Sequence, residues 1–484
     1  MSEITYKLRK LVPRWAKNIL LFVWNWIHSE LLLASDTYRR WFVTREMNLF
    51  RKGDGSGNYW GGKQRLRVGA FWDHGGRFSW LTRVAIERNI GLLHIPRSIY
   101  RPIFAHLLIN NGYSSNSTSG EVSLQVLSHE KFKNHRVAYL RYCTGVAKTL
   151  RDIYKFDVIL LPKLADDWII DVIRGLRSTG FPVVVNDREW FITPKRMEVW
   201  PKHFQAIAKE LTVECLCTAT ERQSLFFEQC KVPAEQIIVT GRPENDYWTY
   251  CAPPPLRSRI HPKLRSDSVV MLFFAFGAKN YLNTYYDGEE RDWTPLGEDY
   301  HDVLLELLRG NDDLQIVYKI GGKPARDNFP GFESFYSQAR RIGGPDSVVM
   351  LDGTYSTVDL LRCTDFVLGF QTSALIEALF TKQPIFYGAW GDLFLDHKET
   401  LMPIHRWPGI RFLESKDELF NACDRCIKDP LAFVLDADSE RARTAMRESL
   451  NYKPDGNSSQ RIMNVIQQVA VEKGNDSSHL TRSQ

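Results

Sequence analysis

The sequence lacks an uninterrupted apolar run long enough to cross a membrane. The most hydrophobic stretch is residues 14–34, RWAKNILLFVWNWIHSELLLA. Polar side chains interrupt it at Lys17, Asn18, Asn25, His28 and Glu30. A spanning helix needs about 20 consecutive apolar residues, and no signal-peptide cleavage pattern follows the stretch. These absences predict a cytoplasmic protein.

Cysteines at metal-ligand spacing are also missing. The chain has 8 cysteines, and the close pairs are Cys215/Cys217 and Cys423/Cys426. Neither pair is followed by a second pair or by histidines at zinc-finger spacing. We therefore expect no metal site, and we interpret the cysteines as buried free thiols in a reducing compartment.

A strong overall charge is absent too, since the formal net charge is only +6 over 484 residues. The basic residues crowd the first 67 positions, which argues against general nucleic-acid binding and for a local anionic partner. Within 14–34 the apolar residues recur every three or four positions, with Trp on the apolar side and bases around it. This pattern predicts an amphipathic helix lying on an anionic membrane surface. A helix packed on the protein's own body is the alternative.

Short apolar runs alternate with helix-length segments from Arg67 onward. RVGAFW, DVILLP, PVVVND, ECLCTAT and QIIVTG predict strands, and SVVMLFFAF, LQIVYKI, SVVML, DFVLGF and PIFYG repeat the pattern later. Strand, helix and strand at these lengths indicate parallel sheets with right-handed crossovers. The proline-rich CAPPPLRSRIHPKLRSD separates two such halves, so we predict an α/β protein with a cleft between the carboxyl ends of two open sheets.

The pattern divides the chain into six segments. We predict a basic helical extension, a first Rossmann-like domain, an extended linker, a second Rossmann-like domain, a helical segment that can cross back onto the first half, and a disordered tail. Their limits are 1–65, 66–250, 251–267, 268–435, 436–473 and 474–484.

One carboxylate stands out in the second half, in the stretch FQTSALIEALF. Glu377 lies in an otherwise apolar helix, where an unpaired charge costs several kcal/mol. Thr372 and Ser373, in the turn that begins at Gln371, can cap this helix, whose first N–H groups would then offer an anion site. We therefore count Gln371, Thr372 and Ser373 as candidate nucleotide- or phosphate-binding residues. Glu377 is one turn further on the same face as Ser373. A capped core helix with a partnered glutamate is the alternative.

A second candidate anion site follows the strand in YKIGGKPARD. Gly321 and Gly322 allow a ligand to approach the backbone, and Lys323 adds positive charge. A solvated basic turn explains the same residues nearly as well.

The run from Ser347 to Gly388 resembles the nucleotide-binding half of GT-B fold glycosyltransferases. It is similar to bacterial surface-polysaccharide transferases, of capsule and lipopolysaccharide, and to the CDP-glycerol glycerophosphotransferase group. The pattern is carried by Asp365, Thr372, Ser373, Glu377, Ala378 and Pro384. TGRPENDYW, at 240–248, resembles the end of the first half in that group. The resemblance covers most of residues 157–388 and implies the GT-B fold, two Rossmann-like domains facing a central cleft.

The resemblance also implies roles for these residues. The glutamate that matches Glu377 accepts hydrogen bonds from the ribose hydroxyls of a nucleotide. The related transferases carry His-Pro where this chain has Lys323-Pro324, so a phosphate contact by Lys323 is compatible with the pattern and an imidazole role is not. GT-B enzymes need no metal, and the sequence has no Asp-x-Asp motif in a suitable loop.

A sugar transfer with inversion needs a base that takes the acceptor's proton. Acidic and imidazole groups follow two strands of the first half, in FWDHGGRFSW and VVVNDREWF. Our order of candidates is Glu189, Asp187 and His74. Salt bridges from Arg188 or Arg196 to the two acids are the competing explanation.

These expectations describe a membrane-peripheral glycosyltransferase at the inner face of the cell membrane. It would use a nucleotide-activated sugar as substrate, need no cofactor, and act on a polysaccharide or lipid-linked acceptor. Two enzymes of the same fold are alternatives, a CDP-polyol phosphotransferase and a sugar-nucleotide epimerase. An alternative of another class is a non-catalytic relative that binds polysaccharide or takes part in assembly.

Overall fold

The computed structural model describes residues 27–52, 64–72, 79–109, 133–164, 167–187, 191–205, 212–249, 253–276, 291–320, 331–429 and 431–480. Within them the chain forms two six-stranded parallel sheets. We call the parts built on them the first lobe and the second lobe. The two sheets confirm the predicted pair of Rossmann-like open-sheet halves.

The first lobe is a doubly covered sheet. Its strands are β1 (Leu66–Trp72), β2 (Ile90–Pro96), β3 (Val158–Leu161), β4 (Val183–Asn186), β5 (Cys215–Thr218) and β6 (Ile237–Val239), in the spatial order β2-β1-β3-β4-β5-β6. Its helices are α1 (Asp36–Lys52), α2 (Ser79–Glu87), α3 (Arg101–Ile109), α4 (Lys133–Tyr154), α5 (Asp167–Ser178), α6 (Pro194–Gln205) and α7 (Glu221–Gln229).

Alternate residues of each strand enter different cores because side chains of a strand point to opposite faces of the sheet. In β3, Ile159 and Leu161 join the core shared with α1 and α3 to α7, whereas Val158 and Leu160 join the core shared with α2. Both faces are therefore apolar, as expected of a parallel sheet.

The second lobe has the strand order of a dinucleotide-binding sheet. Its strands are β7 (Val269–Phe274), β8 (Leu314–Lys319), β9 (Val348–Leu351), β10 (Phe366–Gly369), β11 (Ile385–Gly388) and β12 (Arg411–Leu413). In space they run β9-β8-β7-β10-β11-β12. The connection from the first lobe contains two short helices, α8 (Asp246–Thr249) and α9 (Arg257–Ile260). The helices of the second lobe are α10 (Thr294–Gly310), α11 (Phe332–Gly343), α12 (Thr357–Cys363), α13 (Ala374–Ala378), α14 (Asp392–His397) and α15 (Lys416–Lys428).

A histidine is built into the covering of this second sheet. His301 of α10 stacks on the Phe335 ring of α11, with ring centres 4.5 Å apart. One of its ring nitrogens lies 2.9 Å from the hydroxyl of Tyr318 in β8. Burial lowers the pKa of His301 to about 4, so the imidazole is neutral at pH 7.

The connection between the lobes is less extended than its prolines predict, because it contains the short helix α9. Arg257 of that helix forms an ion pair of 2.7 Å with Asp365, just before β10. It also donates hydrogen bonds to the carbonyl oxygens of Cys363 and Ser268. Asp365 in turn accepts the N–H of Val270 at 2.6 Å. The connection is thus fastened to the amino ends of β7 and β10.

The last two helices, α16 (Ala437–Leu450) and α17 (Ser458–Leu480), return the chain to the first lobe. Ile462, Met463 and Ile466 of α17 are buried in the core beside α2 and β3 to β5. The crossing back that the sequence suggests is therefore present. Helix α17 continues to Leu480, into the stretch after residue 474 where the sequence predicts a disordered tail.

Two further expectations concern the cysteines and the N-terminal segment. The cysteines of the described residues are buried free thiols, as predicted. The helix predicted at 14–34 lies mostly outside the described residues, although 27–34 are helical. None of the described helices is long and apolar enough to span a membrane.

Candidate functional site between the two lobes

The second sheet reverses its strand order between β7 and β10, and ligands of open parallel sheets bind outside the carboxyl ends of strands at such a point. The stretch 370–377 directly follows β10. The residues singled out in the sequence are therefore at the position where this topology favours a ligand.

Gln371 opens the turn after β10 in a left-handed conformation, with φ of 47°. Its buried amide donates to the Tyr387 hydroxyl at 2.7 Å and to the Met402 carbonyl at 3.1 Å, and it accepts the Met402 N–H at 2.9 Å. The side chain is committed to holding the turn against neighbouring chain.

The expected anion seat at Thr372 and Ser373 is weaker than the sequence indicates. Helix α13 has only five residues, so its dipole is small. The Thr372 hydroxyl accepts the N–H of Ala374 at 3.3 Å, and the exposed Ser373 side chain makes no capping bond. The N–H groups of residues 375–377 are already bonded to the carbonyls of Thr372 and Ser373. A phosphate here would need another source of positive charge.

Glu377 lies in α13 with its side chain 18% exposed, and its partner comes from the other lobe. Its Oε1 is 3.6 Å from Nη2 of Arg242, whose side chain is 8% exposed. The distance is longer than a hydrogen bond. The Glu377 carboxylate makes no hydrogen bond to any residue in the described ranges, although it is partly buried and ionic. Such a carboxylate has acceptor capacity for a ligand that brings its own donors.

Arg242 belongs to TGRPENDYW, and its neighbours in that motif fasten it in place. Gly241 has φ of +84°, and a Cβ there would meet the Ser458 Oγ at 2.6 Å and the Tyr452 carbonyl at 2.9 Å. Asp246 is buried and accepts the N–H groups of Ser458 and Ser459 at 2.9 and 2.7 Å, at the start of α17. Burial raises the pKa of Asp246, although these hydrogen bonds act to lower it.

The end of the same motif contacts the second lobe. The Tyr247 hydroxyl donates to Asp359 at 2.5 Å. The Trp248 ring stacks on Phe380, just after α13, with planes 9° apart and centres at 5.5 Å. The motif is therefore a joint between the lobes, and Arg242 is its charged member that pairs with Glu377. Arg242 was not among the candidates drawn from this motif, although its charge between Gly241 and Pro243 was the available signal.

A buried arginine holds α13 from behind. Arg443 of α16 is 1% exposed and donates to the carbonyls of Ala378 and Gln383 at 2.9 and 3.0 Å. Burial lowers its pKa to about 10. These bonds satisfy the carboxyl end of α13 and fix the helix that carries Glu377.

Lys319, at the carboxyl end of β8, is likewise structural. Its buried amine donates to the carbonyls of Asp352 and Tyr355, which ties down the turn after β9. Burial lowers its pKa. The adjoining candidates Gly321, Gly322 and Lys323 lie outside the described residues.

Asp187, a candidate base, is a buried hydrogen-bond acceptor in the structure. It is 3% exposed. Its Oδ2 accepts the Leu164 N–H at 3.0 Å and its Oδ1 accepts the Gln223 amide at 3.2 Å. With both oxygens bonded, this carboxylate braces β4 against the segment after β3 and is poorly placed to receive a substrate proton.

The other two base candidates, Glu189 and His74, lie outside the described residues. Phe191, the first described residue after Asp187, has its ring against Trp407 of the second lobe, with centres 5.4 Å apart. Phe191 is therefore a contact between the two lobes. Among the described side chains, no three His, Cys, Asp or Glu groups cluster in a way that could hold a metal ion.

The geometry defines a two-lobed protein with Rossmann-like sheets and a candidate site where their carboxyl ends meet. No protein-family model matches the sequence, and a search of curated proteins returns no match. Similar solved structures include a UDP-GlcNAc 2-epimerase from Neisseria meningitidis, bound to UDP-GlcNAc, with 13% identity over 83% of this chain and 100% of that one, and a TM-score of 0.47.

Two transferase structures are similar at the same level. A glycosyltransferase from Rickettsia africae has 10% identity over 84% of this chain and 99% of that one, with a TM-score of 0.44. A sucrose-phosphate synthase from Thermosynechococcus elongatus has 12% identity over 87% of this chain and 100% of that one, with a TM-score of 0.45. Similarity this distant assigns neither a family nor an activity.

Proposed function

We propose that this protein is a glycosyltransferase that takes its sugar from a nucleotide-activated donor bound at the second lobe. The observation that carries the proposal is the Glu377 carboxylate, partly buried at the strand-order reversal and hydrogen-bonded to none of the described residues. A ribose offers two adjacent hydroxyl donors, and a carboxylate accepts both. Such bonds to a charged group contribute roughly 1.5–3 kcal/mol.

The acceptor's proton would be taken from the first-lobe side of the cleft. Glu189 is the first candidate for this base and His74 the second, while Asp187 acts by bracing the strand that leads to Glu189. The contact of Phe191 with Trp407 supports this assignment because it brings the segment next to Glu189 toward the donor lobe. Departure of the nucleotide phosphate needs cations, and Lys323 is one candidate.

We further propose a lipid-linked or polysaccharide acceptor at the inner face of the cell membrane, in surface polysaccharide or glycolipid synthesis. Exposed apolar side chains near the N-terminus support a membrane contact: Ile27, Leu31 and Trp41 are 41%, 44% and 54% exposed. The Arg45 guanidinium lies 5.7 Å from the Trp41 ring centre. Apolar side chains beside bases suit an anionic membrane surface. Equal sedimentation of the protein with neutral and anionic vesicles would argue against this contact.

A thermal-shift screen with UDP, GDP, CMP and CDP tests the donor site. We expect one of them to raise the midpoint of unfolding, because a ligand that binds only the folded state stabilises it by about 2.7 kcal/mol at 100 times its Kd. Stabilisation by cytidine nucleotides alone would favour the phosphotransferase. Conversion of a nucleotide sugar without an acceptor would favour the epimerase, and no shift with any nucleotide would leave the non-catalytic alternative.

A further inference from the structure

We propose that Arg242 binds the phosphate of the donor nucleotide, so that the first lobe holds the phosphate while the second lobe holds the ribose. The inference rests on the proposed function and adds a residue of the lobe joint to the donor site. Arg242 and Glu377 come from different sheets, and their charged groups are 3.6 Å apart.

The site needs a cation that α13 does not supply. The helix has five residues, and the N–H groups of residues 375–377 are bonded within the turn. A nucleoside diphosphate brings at least two negative charges next to the ribose. The guanidinium that faces Glu377 is therefore within about one ribose length of the phosphate of a nucleotide bound there.

The chemistry of the pair favours a change of partner. A guanidinium presents its N–H donors in a planar fork that fits carboxylate and phosphate oxygens equally. The contact with Glu377 is longer than a hydrogen bond, so a phosphate can bind Arg242 without the loss of a short bond to Glu377. The Arg242 side chain is only 8% exposed, and low exposure strengthens an interaction between charges.

The joint between the lobes fixes the position of Arg242, so its guanidinium is already placed to bind a ligand. Gly241 fits only as glycine against Ser458 and Tyr452, and Asp246 is bonded to the first turn of α17. A nucleotide held by Arg242 and Glu377 would therefore bridge the two lobes. A nucleoside, which lacks phosphate, would contact the second lobe alone.

The test compares how much the phosphates add to binding in the wild-type protein and in variants. Kd values are measured by calorimetry for uridine, UMP and UDP, and for the guanosine and cytidine series. We expect Arg242→Gln to reduce the ratio of nucleoside Kd to diphosphate Kd at least tenfold, and Arg242→Lys to reduce it less. Glu377→Gln should weaken binding of the nucleoside as well as that of the diphosphate, because the ribose is common to both, and it should not lower the ratio.

Arg257→Gln is the matched control, because it removes an arginine ion pair at the opposite, amino ends of β7 and β10. It should leave the ratio unchanged even if the protein is less stable. If the wild-type protein binds diphosphates and Arg242→Gln keeps the wild-type ratio, the phosphate role of Arg242 is wrong and the proposed function stands. If Arg242→Gln weakens nucleosides as much as diphosphates, Arg242 acts only by orienting Glu377. If the wild-type protein binds none of the nucleotides, both proposals fail.

Discussion

Asp187 and Glu377 are two carboxylates beyond the carboxyl ends of parallel strands, but they differ in exposure and in hydrogen bonding. Asp187 in the first lobe is 3% exposed and bonded through both oxygens. Glu377 in the second lobe is 18% exposed, has one distant cation and no hydrogen bond to the described residues. The position after a strand thus marks both acids as candidates, but only the surrounding donors show which one has been used to build the fold.

The largest expected effect is on the free energy of unfolding when Asp187 is substituted. It tests whether Asp187 is a structural residue, in contrast to Glu377. Asp187→Ala leaves the Leu164 N–H buried without its acceptor. It also removes one of the two acceptors of the Gln223 amide, which keeps the backbone carbonyl of residue 187. We therefore expect a loss of about 2–3 kcal/mol in the free energy of unfolding. Asp187→Asn, which keeps one acceptor oxygen, should lose roughly half as much. Denaturant unfolding measures both. A stable Asp187→Ala protein that has lost turnover would restore Asp187 as a candidate base.

The next effect is on ligand binding, at Glu377. Glu377→Gln should weaken binding of the nucleotide that stabilises the wild-type protein by at least about tenfold, because it removes a charged acceptor. Its free energy of unfolding should change by less than about 1 kcal/mol, since the ion pair is long and partly exposed. Calorimetry and denaturant unfolding of the same preparation separate the two results. A large loss of stability with unchanged affinity would make Glu377 a structural residue like Asp187.

The smallest expected effect is on how the free energy of unfolding depends on pH, and it comes from His301 in the second lobe. Its pKa is about 4 in the folded protein against an ordinary value of 6.5, so the folded state favours the neutral ring. The stability that follows is complete above pH 6.5 and is lost as the pH falls from 6.5 toward 4. Between pH 7 and 4.5 we expect the wild-type protein to lose about 1–2 kcal/mol more than His301→Gln, from the 1.36 kcal/mol that each pKa unit represents.

Denaturant unfolding at several pH values measures this difference. The control is Gln338→Ala on the neighbouring helix α11, which alters an exposed polar side chain without a titratable group. Parallel pH profiles for the wild-type protein and His301→Gln would mean that His301 titrates normally.

Most strands were predictable because each is a short apolar run between turn residues. Two of the four edge strands, β2 and β12, were not. The strand β2, IGLLHIP, begins at Ile90, with only two residues between it and the helix that ends at Glu87, so no cluster of turn residues separates it from the helix. The strand β12 has only three residues, too few for any periodicity.

A site residue could be predicted from the sequence where its chemistry is unusual for its neighbours. It could not be predicted where its role depends on a partner that is distant in the sequence. Glu377 could be selected because a charge in an apolar helix needs an explanation. Arg242 sits 135 positions earlier in numbering, in a motif whose other members are structural, and only the fold brings the two together. The roles of Gln371 and Asp187 depended on partners at Met402 and Gln223 that no local pattern reveals.

The return of α17 to the first lobe has a consequence for how the protein is made. The face of β3 to β5 that α17 covers is synthesised roughly 240–300 residues before the helix itself. At about 5–20 residues per second this is an interval of roughly ten to sixty seconds. During that time the apolar residues on this face of the first sheet have no permanent cover. The first lobe therefore leaves the ribosome first but completes its core last. The uncovered face of its sheet is where a chaperone has the longest time to bind.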